Sequence, residues 1–151
     1  MDRPTFPCVK VSRVASPRYI LDTGPLVAFA NATDQHHLWA REVLNALGEA
    51  PATCEIVLAE ACYLLANSQR AVDLVLALPG QGRVMVEPVL ASEADPVRTA
   101  VAKYWPAMDV ADGCVLQLVE RFPKAKVITT DVRDFRIYRR NRNEPIQLIH
   151  P

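Results

Sequence analysis

Apolar residues along this chain come in two rhythms. Short runs at 18-RYIL-21, 51-PATC-54, 83-RVMVEPV-89, 126-KVITTD-131 and 146-IQLIH-150 have the length of strands. Longer stretches between them repeat at helical spacing. The first, 24-GPLVAFAN-31, opens on Pro25, which a first helical turn tolerates. In 35–48, Leu38, Trp39, Val43, Leu44 and Leu47 mark one stripe that stops at Gly48. Further helices are predicted over 55–68, 70–80, 93–105 and 109–122, the second ending at Pro79-Gly80. Strands alternating with helices predict an α/β fold with a largely parallel sheet. Residues 1–17 hold three prolines and little periodicity, and are expected to be a loosely ordered extension ahead of a single domain over 18–151.

Several acids break this pattern. Asp22 ends the first strand and Asp131 ends 127-VITT-130 in the same manner. If both strands are central and parallel, their carboxylates meet beyond the carboxyl ends of the sheet, where open α/β folds build their sites. Glu60 is the sole charge in 56–66, and Asp112 interrupts 110–119 three residues after Asp109, which puts those two acids on one helix face. Ionised carboxylates are rarely buried unless paired or bound to a cation, and few basic residues lie nearby in sequence. Hard divalent ions such as magnesium or manganese select oxygen ligands of this kind. Each acid also has a plain alternative: Asp22 and Asp109 as helix caps, Glu60 turned to solvent, Asp131 and Asp134 capping a turn over 132-VRDF-135. The coincidence of four such acids favours a site.

Composition narrows the class. With 151 residues, half of them hydrophobic, the chain can bury a sizeable core. Its 17 basic and 17 acidic residues cancel, so no global positive field marks a nucleic-acid binder. No apolar run is long enough to span a membrane, and the apolar region of a secretory signal is lacking. Cys8, Cys54, Cys62 and Cys114 form no C-x-x-C pair and are expected to be free thiols, mostly buried, in a reducing cytoplasm.

The ordered set DTGPLVA, VLAEACYLL, MDVADGCVLQL and VITTDVRDF resembles the PIN-domain family, within it the VapC-like toxins of bacterial toxin–antitoxin modules, over residues 18–150. That resemblance implies a three-layer α/β/α fold with four to five strands, an acidic pocket for Mg2+ or Mn2+ (one ion or two), and endoribonuclease activity. It matches Asp22, Glu60, Asp112 and Asp131 to the four family acids, Asp109 to an additional acid, and Thr130 to a supporting hydroxyl. It also implies a cognate antitoxin and a homodimer; the apolar helices 55–68 and 70–78 could supply a face for the dimer, and core packing explains them equally well. Gly113 departs from a common alanine.

Two metal ions about 3.5–4 Å apart can hydrolyse a phosphodiester with no cationic side chain, so the protein's task is to hold carboxylates. RNA, tRNA included, would be gripped by Arg133, Arg136, Arg139, Arg140 and Arg142 in an arginine-rich loop, with Tyr138 stacking on a base. A solvated loop or an antitoxin contact would explain the same arginines. Rival functions are a PIN-like binding module without nuclease activity and a DNA nuclease. An aspartyl phosphotransferase is disfavoured because Gly24 stands where its second acid would be.

Overall fold

The computed structural model describes residues 15–151, so the expected extension over 1–17 lies almost wholly outside the described residues. β1 (Tyr19–Leu21) runs into α1 (Thr23–Ala30) and α2 (His37–Ala46). β2 (Ala52–Thr53) is followed by α3 (Glu55–Leu64) and α4 (Gln69–Gly80), then by β3 (Met85–Val86). α5 (Leu90–Lys103) and α6 (Val110–Arg121) precede β4 (Lys126–Ile128), the short α7 (Val132–Phe135), the pair β5 (Arg139–Arg140) and β6 (Glu144–Pro145), and β7 (Leu148–Ile149).

Five strands form one parallel sheet in the order β3-β2-β1-β4-β7, flanked by helices, as the alternating pattern predicts. Strand order reverses between β1 and β4: the chain extends the sheet on one side through β2 and β3, then crosses to the other side of β1. Leu21 lies opposite Ile128, and the Asp22 N–H continues the ladder to the Ile128 carbonyl at 3.1 Å. Ile20, Leu21, Val127 and Ile128 are buried, as strands covered on both faces require.

The arginine-rich segment is not a plain loop. Arg140 pairs with Glu144 across an antiparallel hairpin whose turn holds Asn141 and Arg142 at positive φ (43° and 71°). An Arg140–Glu144 ion pair ties its two strands. Leu38 also departs from its expected stripe. It is 71% exposed, while Trp39, Ala40, Val43, Leu44 and Leu47 face the core.

α5 begins earlier than predicted and kinks at Glu93. Pro96 then falls in the first turn beyond the kink, where its missing N–H costs nothing. Arg121 from α6 pins the kink, with a guanidinium bonded to Glu93, Glu87 and the Pro88 carbonyl. Gly113 explains how α5 and α6 come so close. A Cβ there would sit 3.1 Å from methyls of both Val97 and Val101. Cys54 and Cys114 are buried and Cys62 is half-buried, all as free thiols, while Cys8 lies outside the described residues.

Candidate acidic site

The order reversal puts the ends of β1 and β4 side by side, and the two strand-end acids follow from it. Asp22 occupies the N-cap position of α1, yet its side chain makes no capping bond. It is 5% exposed, and the Thr129 hydroxyl donates to its Oδ2 at 2.7 Å. The same Thr129 oxygen accepts the Asp131 N–H at 2.9 Å. One threonine therefore ties both strand-end acids. Asp131 in turn caps α7, its Oδ1 accepting the Asp134 N–H at 3.2 Å.

The helical acids enter from α3 and α6. Glu60 is half-buried, and the Thr23 hydroxyl donates to its Oε2 at 2.6 Å. Asp109 caps α6, accepting the Asp112 N–H at 2.9 Å, which is the plain reading of that residue. Asp112 is half-buried and receives the Tyr138 hydroxyl on Oδ2 at 2.8 Å. The expected five acids are thus brought to one region. Sequence reasoning missed the hydroxyls that hold three of them: Thr23, Thr129 and, in this role, Tyr138.

Three of the acids resist ionisation. Burial pushes Asp22 up to about 6, opposed by the Thr129 bond and assisted by the charges of Glu60 and Asp131. Burial likewise pushes Asp112 up to about 8, with Asp109, Asp22 and Asp131 adding repulsion. Glu60 is raised by burial and by the neighbouring Asp109 carboxylate. Mutual repulsion joins all five acids into one electrostatic cluster. Among the described residues, no Lys or Arg is ion-paired with any of them. Hard oxygen donors without a countercharge match the chemistry of a divalent ion such as magnesium or manganese. As they stand, no three acidic, His or Cys side chains among the described residues converge closely enough to hold an ion.

The structure bears on several expectations for neighbouring residues. Tyr138 is fully buried, packed between Tyr104 and Phe135 with ring centroids 5.2 Å from each, so no base can stack on it. Arg139 and Arg140 are already engaged within the chain. Arg139 spends its guanidinium on the carbonyls of Arg136, Ile137 and Tyr138, and Arg140 pairs with Glu144. Arg133 on α7, Arg136 at its C-cap and Arg142 at the hairpin turn are exposed. Thr130 makes no hydrogen bond to a carboxylate among the described residues. It lies instead against Gly24, where an added Cβ would come within 2.0 Å of its hydroxyl.

Comparison with known proteins agrees with the fold. The family described as PIN domain matches residues 19–141. Among solved structures, a DNA-bound VapBC from Salmonella typhimurium is similar, with 20% identity, a TM-score of 0.57, and coverage of 89% of this chain and 98% of that one. At that identity the likeness speaks to the fold. No curated protein matches the chain.

Proposed function

This chain belongs to the PIN domain family, and from that premise we propose that it is a divalent-metal-dependent endoribonuclease, the toxin of a VapC-like toxin–antitoxin pair acting in the cytoplasm. The observation that carries this reading is the cluster of Asp22, Glu60, Asp109, Asp112 and Asp131, held by neutral donors and lacking an ion-paired cation among the described residues. Asp22 and Asp131 would anchor the principal Mg2+ or Mn2+, and Asp112 and Glu60 would complete it or hold a second ion. Asp109, with one oxygen taken by the Asp112 N–H, would act through water. When bound, such ions supply an activated water and neutralise charge on the phosphate and the leaving oxygen.

The chain's own residues would orient and bind. Thr129 keeps the two strand-end acids in register, and Thr23 fixes Glu60. Arg133, on the helix that Asp131 caps, and Arg136 at that helix's C-cap would receive backbone phosphates of the RNA, drawing a polyanion toward an otherwise repulsive pocket. A cognate antitoxin would silence the enzyme. The exposed Tyr63 and Leu64 on α3, with Leu76 on α4, would form the face of a homodimer. Residues 18–151 would form the nuclease domain and 1–17 an extension to it.

Purified protein incubated with a labelled pool of structured RNAs, tRNA included, tests the reading. Cleavage is expected with manganese, none with EDTA, and none by Asp22→Asn. A folded wild type that binds manganese but cuts no RNA would overturn the ribonuclease assignment. It would move the function to DNA cleavage or to binding alone.

A further inference from the structure

Resting on the metal-nuclease reading above, we propose that Tyr138 is a positioning residue for Asp112: its buried hydroxyl holds one oxygen of that carboxylate and so leaves the other to the metal. The aromatic ring alone does not account for a tyrosine here. It is 0% exposed and sits edge-on to Phe135 and tilted against Tyr104, contacts that a phenylalanine would make as well. Burying a hydroxyl has a cost unless a partner is found. This one has two acceptors, Asp112 Oδ2 at 2.8 Å and the Ala107 carbonyl at 3.0 Å. It carries a single hydrogen, and once a bound cation keeps Asp112 ionised that carboxylate is the stronger acceptor. Asp112 Oδ1 has no hydrogen bond among the described residues. The carboxylate is thus held on one side only.

The tyrosine itself is held firmly. Its N–H donates to the Asp134 carbonyl at 3.2 Å, and its carbonyl receives the Arg139 guanidinium at 2.9 Å. The next N–H, of Arg139, donates to the Tyr104 hydroxyl at 3.1 Å. Position 138 is therefore held by its own backbone bonds to Asp134 and to Arg139. Donors that orient a metal-binding side chain typically change metal affinity by about 10–100-fold when removed.

Tyr138→Phe removes the hydroxyl and keeps the ring. Tyr104→Phe is the control, because it deletes a hydroxyl from the same aromatic block, giving up only its bond from the Arg139 N–H, and does not touch Asp112. Manganese affinity is measured by titration calorimetry on wild type and both variants, with near-ultraviolet circular dichroism in EDTA verifying the fold. Expected is a roughly 10–100-fold weaker manganese Kd for Tyr138→Phe and an unchanged Kd for Tyr104→Phe. Cleavage by Tyr138→Phe should drop at low manganese and recover at saturating manganese, with KM for RNA unchanged. Wild-type affinity in Tyr138→Phe would overturn the positioning role. Equal weakening in both variants would overturn it too, reducing the hydroxyl to part of a structural block. A wild type that binds no manganese would sink the metal reading itself, a result distinct from either.

Discussion

Thr129 and Thr130 are neighbours at the end of β4 with different tasks. Thr129, buried, donates to a buried carboxylate and accepts a backbone N–H, so its hydroxyl has no neutral replacement. Thr129→Val should cost about 2–3 kcal/mol in urea unfolding, since it strands both Asp22 and the Asp131 N–H. Thr130→Ser should change stability by less than about 0.5 kcal/mol, because it keeps the hydroxyl and loses one half-exposed methyl. A Thr129→Val variant as stable as wild type would show that water replaces the hydroxyl. The acids themselves were legible in the sequence, because a charge inside an apolar run is conspicuous without coordinates. Their donors were not. Nothing in a Thr-Thr pair says which hydroxyl turns inward, and Tyr138 is separated from Asp112 by 26 residues.

At the scale of elements, strands and helices were legible wherever apolar spacing was regular. The β5–β6 hairpin was not, because 139-RRNRNEP-145 has no apolar alternation and is held by an ion pair and a left-handed turn. Gly113 looked like a departure from helix-forming composition, costing about 1 kcal/mol in propensity. In the fold it is what lets α6 approach α5. Val97 and Val101 are β-branched on a helix and have little rotamer freedom to yield. Overpacking of 1–3 kcal/mol then outweighs the gain in propensity, and Gly113→Ala should destabilise by about 1 kcal/mol. Combining it with Val101→Ala should cost less than the sum of the two, as measured by chemical denaturation. An additive pair would place the strain elsewhere.

For the whole molecule, the acidic cluster sets how stability depends on pH. Asp22 and Asp112 hold protons up to about 6 and about 8, whereas in the unfolded chain both ionise near 4. Between those values the folded state binds more protons than the unfolded one, so stability without metal falls as pH rises from about 4 to about 8 and then levels. Urea unfolding in EDTA should show this slope, and Asp112→Asn should flatten its upper part. A flat profile in wild type would mean that neither burial nor mutual repulsion keeps these acids protonated. Charge has a second effect at the surface: Arg133→Glu with Arg136→Glu should weaken RNA binding and lower its salt slope by about 0.7 per lost phosphate contact. An unchanged slope would remove α7 from the RNA path. The pairing of β1 with β4 carries a consequence for how the protein is made. Asp22 and Thr129 are 107 positions apart, and the carboxyl-terminal edge they share exists only once β4 has docked beside β1. A ribosome must therefore release the whole stretch from β1 through β4 before the acids can meet. Until that length has emerged, a growing copy has no shared edge on which Asp22 and Asp131 can lie together.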